Sequence, residues 1–474
     1  MNRVLALAPE LVLVLTGIAV FIGLMAAPEH RAARARVAGL VGGLLLIAAC
    51  ALSFGSTLDV FWLTYRVDAF SQYVKLAVAV GFVLVLLIAD KGAGQRDDAR
   101  GELVFFLLTS TAGLTVMASA VEVLALYLAL EIASFSLFVL VPLREGFAPG
   151  KEAGIKFLFV GLAASAFTLL GLAILVGLTG TTRLDQMEAQ LANLGSQPAT
   201  LVALALFFSG FLFKLALFPF HFWAPDVYQG ASHGVAAFVA TASKMAAVAL
   251  LARLVSLAGL AGRDLALAMA VAAAVAMTLG NLVAIVQRDV KRMLAWSAVA
   301  QAGYIAVGYA AFDLDGVAAA LFYGVLYLLM NAAAFLVVAR VGADGSNPSL
   351  DDLRGLHRRS PLLAATLLLA MFALAGVPPT AGFIGKWFLF RAAMGQGWWW
   401  LVGLGAINAT VSVYYYLVAV KHAYLLPAEQ EETPVVLTAV DKALCYGLSA
   451  AIVILGFWPG PVYDWAVRAA AQLP

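Results

Sequence analysis

Long apolar runs separated by short polar loops recur along the whole chain. About 20 apolar residues are needed to cross the hydrocarbon core of a bilayer as a helix. Fourteen runs approach or exceed that length, at roughly 9–26, 36–54, 68–90, 102–119, 122–142, 153–178, 200–220, 232–259, 264–286, 293–311, 316–340, 361–390, 396–420 and 440–459. They show no alternation of period two, which favours helices over the strands of a membrane barrel. The pattern predicts an all-α integral membrane protein with about 14 transmembrane helices.

Basic residues are divided unequally between the two sides predicted for the loops. If the loop after the first span is inside, the inside loops carry Arg31, Arg34, Arg36, Lys91, Arg96, Arg100, Arg144, Lys151, Arg288, Lys291, Arg292, Arg340, Arg354, Arg358, Arg359, Lys421 and Lys442. The outside segments carry only Arg3, Arg66, Arg183, Arg263, Arg391 and Arg468. Basic loops favour the cytoplasmic side. The sequence therefore predicts a bacterial inner-membrane protein with both termini in the periplasm.

Two of the runs are interrupted by proline. The segment SGFLFKLALFPFHFWAPDVY contains Pro219 and Pro225, and the segment MFALAGVPPTAGFIGKWFLF contains Pro378 and Pro379. Proline removes a backbone donor and clashes with the preceding turn, so each helix is expected to break there. Broken helices at membrane depth occur where protein or a water-filled cavity satisfies the freed backbone groups.

The two breaks fall in the seventh and twelfth spans, which suggests an internal repeat. The second break comes five spans after the first. Five is odd, so spans four to eight and nine to thirteen would form an inverted repeat. Interrupted helices at matching places in inverted repeats mark transport sites, and two purely structural kinks are the alternative. The predicted parts are residues 1–100 (spans one to three), 101–260 (first repeat), 261–425 (second repeat) and 426–474 (last span).

Composition agrees with a membrane protein and excludes several other classes. Hydrophobic residues make up 64% of the 474 and charged residues 12%, whereas soluble domains are about half apolar and a quarter charged. Cys50 and Cys445 lie far apart and give no spacing for a zinc or iron–sulfur site. The sequence contains no P-loop and no dinucleotide-binding glycine pattern, and its scattered charges make no nucleic-acid surface. Redox chemistry and cofactors are expected in other polypeptides, and no metal site is expected here.

Six basic residues lie inside predicted spans: Lys75, Lys156, Lys214, Lys244, Arg253 and Lys386. An ionised group in mid-bilayer costs at least about 2.5–3.5 kcal/mol, so it is normally retained because function uses it. Three of the six have simpler explanations. Lys156 follows Glu152 by one helical turn, Arg253 can extend toward the outer surface, and Lys75 lies near a span end.

The other three lysines form a group with Glu131. Lys244 lies near the centre of its span, Lys214 and Lys386 flank the two breaks, and Glu131 is in mid-span. Such groups influence one another's charge, so moving one proton changes the next group's affinity. Lysine can exchange its proton once desolvated, whereas arginine cannot. A proton path through these residues is predicted, with a static buried ion pair as the alternative.

Polar side chains in neighbouring spans could order water between these charges. They are Ser243, Ser297, Gln301, Tyr304, Tyr323, Tyr327 and Asn331. Hydroxyl and amide groups also join helices in membrane bundles with no transport function. We therefore treat Tyr304 and Tyr323 as candidate relays only.

Several segments resemble subunit N of bacterial NADH:quinone oxidoreductase, respiratory complex I. They are FKLALFPFHFWAPDVYQGA, the ASK of the eighth span, NLVAIVQRDVKRMLAWSAVAQAGYIAVG, LRGLHRRSP followed by LAGVPPTAGFIGKWFLF, and INATVSVYYYL. The resemblance runs from about residue 100 to 425, whereas the first 100 residues match only in hydropathy. It implies an antiporter-like proton channel in a membrane arm, driven from a distant redox site.

The resemblance also implies site residues and partners. The family's glutamate of the fifth span falls on Glu131, and its lysines of the seventh, eighth and twelfth spans fall on Lys214, Lys244 and Lys386. Other membrane-arm subunits, including sister antiporter-like subunits, are the implied partners, together with the lipid bilayer. Flavin mononucleotide, iron–sulfur clusters and the quinone substrate are implied for the complex and not for this chain.

Other functions stay open at this point. A subunit of a multisubunit cation/proton antiporter would share the fold and the charges. A structural membrane-arm spacer and a stand-alone solute carrier are further alternatives. One sister subunit carries glutamate where this chain has Lys386, which argues against that subunit.

Two histidines are further candidate relays. His221 matches a family position close to the first break. His233 lies in GASHGVAAF, where the family usually reads like GAPTPVTAF, near the inside mouth of the eighth span. A titratable group there could take up protons, and a harmless exchange is the alternative.

Overall fold

The computed structural model describes residues 3–25, 31–61, 63–89, 99–144, 146–194, 197–259, 263–427 and 434–473. A helix occupies each of the fourteen predicted runs. The fourteen spans are Ala8–Met25, Arg31–Leu52, Ala69–Ile88, Ala99–Ser119, Val123–Leu140, Ala148–Thr179, Pro198–Leu215 with Trp223–Gly230, His233–Phe238 continuing through Val239–Ser243 into Lys244–Gly259, Arg263–Ile285, Val290–Ala310, Leu314–Val341, Pro361–Ala375 with Ala381–Gly395, Trp399–Leu425 and Ala439–Phe457. The seventh and twelfth spans are each split into two helices, as the prolines predict.

Short elements join the spans. The helical ones are Arg3–Ala6, Val141–Leu143, Leu184–Leu194, Asp351–Leu353, Leu356–Arg359 and Gly460–Ala470. Strands β1 (Leu58–Val60) and β2 (Tyr65–Val67) pair antiparallel between the second and third spans, with Asp59 opposite Arg66.

Within the described residues, twelve helices are long and apolar enough to cross a bilayer on their own. The remaining two predicted spans are the less apolar Val290–Ala310 and the interrupted twelfth span. The all-helical membrane fold is therefore confirmed.

Burial separates central helices from peripheral ones. In the most apolar stretch of the eighth span every residue is buried, and 89% are buried in the eleventh span, against 22% in the first. Side chains that are exposed on the peripheral helices are large and apolar, for example Leu15 and Phe159, as expected for surfaces that face lipid or another membrane subunit. The eighth and eleventh spans thus form the centre of the bundle.

Loops predicted to share one side of the membrane meet in the structure. Arg144, after the fifth span, donates to Gly345 O (2.6 Å) and Asn347 Oδ1 (2.7 Å), after the eleventh span. Arg340 at the end of the eleventh span donates to Asp441 Oδ1 (2.6 Å) and to Ile88 O (2.8 Å). These contacts agree with the alternation of inside and outside loops.

The two helix breaks have the same backbone hydrogen bonds. At the first, the amides of Ala216 and Leu217 donate back to Phe213 O and Leu212 O, both at 2.9 Å. This 5→2 and 6→1 pairing is a Schellman ending, and Ala216 accordingly has φ 56°.

At the second break, the amides of Gly376 and Val377 donate in the same way to Ala373 O (3.0 Å) and Phe372 O (2.9 Å). Gly376 has φ 85°. Each ending is followed by a cis X–Pro bond, Phe218–Pro219 and Pro378–Pro379.

Close helix contacts repeat as well. A Cβ at Gly113 would lie 2.6 Å from Ala133 N, and a Cβ at Gly280 would lie 2.5 Å from Ala300 N. Spans four and five therefore pack through glycine as spans nine and ten do. This correspondence supports the inverted repeat, while the boundaries at residues 100, 260 and 425 stay predictions.

We predict opposite effects of reciprocal substitutions at the two breaks. Gly376→Ala places a side chain at positive φ, at a cost of about 1–2 kcal/mol, and its Cβ would lie 3.1 Å from Lys386 Cδ. Ala216→Gly, at the equivalent position, removes the steric strain of a side chain at positive φ. Thermal unfolding of the purified complex should show a lower midpoint for Gly376→Ala and no loss for Ala216→Gly. If both variants lowered the midpoint equally, glycine would be preferred at one position and alanine at the other, and the two breaks would not be equivalent.

The buried Arg340–Asp441 pair gives a second prediction. The side chains are 2% and 1% exposed, so Asp441→Asn leaves a buried cation unpaired, which costs about 3–5 kcal/mol. Asp59→Asn breaks an exposed pair with Arg66 and should cost less than about 1 kcal/mol. The amount of assembled complex in the membrane and its thermal midpoint measure both effects. Similar values for the two variants would contradict this assignment.

Candidate functional site

Lys244 lies at the centre of the most buried helix. The residues directly before it, Val239–Ser243, form a π-helical turn, a local widening that often occurs at functional sites. Lys244 is 1% exposed, and its Nζ donates to the carbonyl of Leu215. Leu215 is the last residue of the first half of the broken seventh span.

Lys386 contacts the equivalent helix end in the second repeat. Its Nζ donates to Leu374 O (3.1 Å) and Ala375 O (3.0 Å), the last carbonyls of the first half of the twelfth span. The ammonium also lies 4.3 Å from the centre of the Tyr304 ring. Lys386 is 4% exposed.

Both lysines thus sit at the carbonyl end of an interrupted helix. Unpaired carbonyls and the helix dipole give such an end partial negative charge, which favours a cation. Among the described residues, both ammonium groups donate to backbone carbonyls, which are neutral, rather than to carboxylates. The sequence predicted that Lys386 would flank a break, but it did not predict that Lys244 would reach the other one.

Lys214 is the next-to-last residue in the first half of the seventh span. It is 4% exposed, and its Nζ donates to Ser134 Oγ on the fifth span at 3.1 Å. Ser134 follows Glu131 by three residues, so both lie on one side of the fifth span. Lys214 therefore contacts the side of that span that carries Glu131.

Glu131 is only partly buried. Its Oε1 accepts from Ser165 Oγ on the sixth span at 2.8 Å, and that hydroxyl lies 2.6 Å from Tyr127 Oη. Separate hydroxyl contacts therefore join Glu131 to the sixth span and Lys214 to the fifth span.

A network of buried polar side chains surrounds the second break. Tyr323 Oη donates to Gln301 Oε1 (2.5 Å), and Gln301 Nε2 donates to Leu374 O (2.8 Å). Leu374 O is one of the two carbonyls that hold Lys386. Tyr323 therefore connects to the lysine site through Gln301 and a shared acceptor, and its function as a relay stays a prediction.

Tyr304 connects to the same site from another direction. Its hydroxyl accepts from Asn281 Nδ2 at 3.4 Å, and Asn281 Oδ1 accepts from Tyr415 Oη at 3.0 Å. Tyr416 Oη lies 3.3 Å from Gln301 Nε2 and 2.5 Å from Ser297 Oγ. Sequence reasoning missed Asn281, Tyr415 and Tyr416 as site residues, although three consecutive tyrosines inside an apolar run were a signal.

His221 lies in the first break among aromatic rings. It is fully buried, and its ring centre is 4.2 Å from Phe222, 5.8 Å from Phe218 and 5.9 Å from Trp296. Among the described residues, neither ring nitrogen has a hydrogen-bond partner. Its function as a relay stays a prediction.

His233 is the first residue of the eighth span, as predicted, and is 6% exposed. Its Nε2 lies 3.0 Å from Gly342 O. Since a carbonyl only accepts, Nε2 carries the hydrogen. In the part of the chain that the structure describes, Nδ1 has no partner.

The three basic residues interpreted as structural all have acidic partners. Lys156 pairs with Glu152 (2.7 Å) and with Asp226 (2.9 Å). Lys75 is fully buried and pairs with Glu10 of the first span at 2.5 Å.

Arg253 extends toward the predicted outer side, as expected, but it does not reach water. Arg253 is 1% exposed, lies 3.9 Å from Asp68 and donates to Ala118 O at 2.8 Å. Its guanidinium also lies over the Phe70 ring, 4.6 Å from the ring centre. Packing between the third, fourth and eighth spans therefore encloses the side chain before it reaches water.

Over the described residues, no group of three or more His, Cys, Asp or Glu side chains is placed to hold a metal ion. Cys50 and Cys445 are both buried and free. The arrangement supplies exchangeable protons, hydroxyls and amides, which suit proton transfer.

Comparison with known proteins identifies the family. The family described as "NADH:quinone oxidoreductase/Mrp antiporter, TM" matches residues 120–412. NADH-quinone oxidoreductase subunit N 2 of Syntrophobacter fumaroxidans is 43% identical over 99% of both chains. NADH-quinone oxidoreductase subunit N of Heliobacterium modesticaldum is 38% identical over 98% of this chain and 99% of the other.

Solved structures show the same architecture. A chain of respiratory complex I from Thermus thermophilus is 32% identical, with a TM-score of 0.83 over 96% of this chain and 98% of that one. A chain of the Mrp complex from Dietzia shares the fold, with a TM-score of 0.85 at 21% identity over 99% of this chain and 97% of that one. The family match to more than half of the sequence, together with these full-length relatives, shows that the chain belongs to the NADH-quinone oxidoreductase subunit N family.

Proposed function

We propose that Glu131, Lys214, Lys244 and Lys386 carry protons through this antiporter-like membrane-arm subunit of NADH-quinone oxidoreductase. Quinone reduction elsewhere in the complex would drive the transfer. A change in a neighbouring subunit would alter the charge balance of Glu131 and Lys214, and Lys244 would then exchange its proton with Lys386. Water would connect this chain of groups to the inside and to the outside in turn.

The placement of Lys244 and Lys386 at two matching helix ends carries the proposal. Each ammonium is buried and is held by neutral carbonyls, so loss of its proton leaves no carboxylate uncompensated in the membrane. A buried salt bridge would instead resist the loss of one charge. The same carbonyls can accept a hydrogen bond from the neutral amine, so the site tolerates both states.

The surroundings of Glu131 support a link to a neighbouring subunit. On the same helix Leu128, Ile132 and Phe135 are 60%, 47% and 49% exposed, and Glu131 itself is only partly buried. An apolar face of this kind suits contact with another membrane-arm subunit. A carboxylate at its centre would respond to charges on the partner.

A multisubunit cation/proton antiporter is the second candidate, because the Mrp chain shares the fold. Its identity of 21% supports the fold alone. The relatives that match over the whole length at 38–43% identity are subunits of NADH-quinone oxidoreductase, which favours the first function.

We also propose where the remaining parts of the system lie. Flavin mononucleotide, the iron–sulfur clusters and the quinone site would belong to other subunits of the complex. The chain would lie in the inner membrane with both termini in the periplasm, because basic residues concentrate in the loops on the opposite side.

Lys244→Met should abolish the contribution of this chain to proton pumping, because methionine fills the space without an exchangeable proton. Pumping is measured as protons translocated per NADH oxidised in inverted membrane vesicles that contain the assembled complex. Lys421→Met removes an exposed lysine and should leave the ratio unchanged. An unaltered ratio in Lys244→Met would overturn the proposal.

The orientation is tested with reporter fusions. Alkaline phosphatase, which is active only outside the cytoplasm, should be active when fused at the C-terminal end and inactive when fused within residues 343–346. Green fluorescent protein should give the opposite pattern. Phosphatase activity at residues 343–346 would mean that the topology is inverted.

A further inference from the structure

Three buried polar atoms that lack a full hydrogen bond lie between the inner surface and Lys244. They are His233 Nδ1, Tyr228 Oη and Tyr327 Oη, and among the described residues none has a partner at full hydrogen-bond geometry. The two hydroxyls face each other, and the His233 ring lies near the backbone of Ser346. The three side chains are 6%, 0% and 2% exposed. Buried polar groups are almost always hydrogen-bonded, so such atoms mark places where water binds.

The three atoms follow one another in depth. His233 begins the eighth span and lies against Gly342, so it is one loop away from the exposed Ala343 and Asp344. Tyr228 belongs to the second half of the seventh span and packs on Phe335 of the eleventh, with ring centres 5.9 Å apart.

Tyr327 continues the series toward the lysine. Its hydroxyl faces the hydroxyl of Tyr228. Tyr327 lies on the eleventh span, three residues after Gly324. A Cβ at Gly324 would touch Met245 Sδ at 2.8 Å, and Met245 is the residue next to Lys244. At 1.5 Å per residue, the eleven residues from His233 to Lys244 span about 16 Å.

The surroundings of His233 favour brief occupancy by a proton. Lys291 and Arg144 are the cations that face the ring, and both are buried at the inner end of the bundle. A proton on the ring would add a third positive charge to this group, and like charges at short range repel strongly in a low dielectric. A proton taken up here is therefore passed on rather than stored.

An acidic residue lies on the aqueous side of the same loop. Asp344 is close enough to interact with His233, and hydrogen bonds from the backbone and side chain of Ser346 hold the pKa of its carboxyl below the usual value. Asp344 is exposed and stays ionised at neutral pH. It places negative charge at the opening and offsets part of the repulsion from Lys291 and Arg144.

We propose that His233 is the group that takes up protons from the inner side, and that water held by Tyr228 and Tyr327 conducts them to Lys244. The inference rests on the proposed function of Lys244 as a proton carrier. Nδ1 accepts a proton from water near the 343–346 loop, and the ring gives up a proton to the internal water. A ring flip that turns Nδ1 from the loop toward the internal water lets the same nitrogen release that proton, which restores the starting tautomer with its hydrogen on Nε2.

Chemical rescue tests the uptake group. His233→Ala removes the ring and leaves a cavity one loop below the surface, so it should lower the protons translocated per NADH. Millimolar imidazole on the inner side should restore the ratio. Pyrazole has the same ring size but does not take up a proton near neutral pH, and it should not restore the ratio. A purely structural function of His233 predicts equal effects of the two compounds.

Hydroxyl deletions test the passage without relying on the alanine variant. Tyr327→Phe and Tyr228→Phe each remove one of the two facing hydroxyls and should lower the ratio. Tyr309→Phe is the matched control, because Tyr309 is equally buried and its hydroxyl is bound to Val248 O at 2.5 Å. It should leave the ratio unchanged.

The outcomes separate this inference from the proposed function. If Lys244→Met lowers the ratio while His233→Ala and both tyrosine variants keep it, protons enter elsewhere and the inference is overturned. An effect of pyrazole equal to that of imidazole also overturns it. If Lys244→Met itself has no effect, the proposed function fails first.

Discussion

Carbonyl groups at the ends of interrupted helices hold the two lysines at the centre of this protein. A helix that stops at membrane depth leaves its last carbonyls unpaired, and hydrocarbon cannot satisfy them. A lysine in the same region needs acceptors for its ammonium group. Contact of Lys244 with Leu215, and of Lys386 with Leu374 and Ala375, meets both needs at once. The prolines, the positive-φ residues and the π-helical turn all contribute to this geometry.

The hydrophobic pattern was sufficient to predict the fold, because a bilayer imposes length and polarity on every span. The prolines also predicted both breaks correctly, because the effect of a proline on a helix is local. Arg253 shows where this reasoning ends. Its depth in the membrane was predictable, but its enclosure by Asp68, Ala118 and Phe70 depends on how distant helices pack.

The sequence placed the candidate site residues within the spans, and their function in proton transfer stays a proposal. The four charged residues were identified by depth and by the family resemblance, whereas their hydrogen-bond partners were not. Leu215 is 29 residues from Lys244 and carries no chemical signal in the sequence, because the group that accepts from Lys244 is its backbone carbonyl. Tyr415 and Asn281 are likewise ordinary membrane residues until the structure joins them across 134 positions.

The two lysine contacts differ in where each lysine comes from. Lys386 belongs to the second half of the same interrupted span that supplies its acceptors, so the contact moves with that span as a unit. Lys244 belongs to the eighth span and reaches across to the seventh. A small sliding of one helix past the other would therefore lengthen the Lys244 contact and leave the Lys386 contact intact. The carbonyl contact of Lys244 therefore responds directly to sliding between two spans, whereas the carbonyl contacts of Lys386 lie within one span.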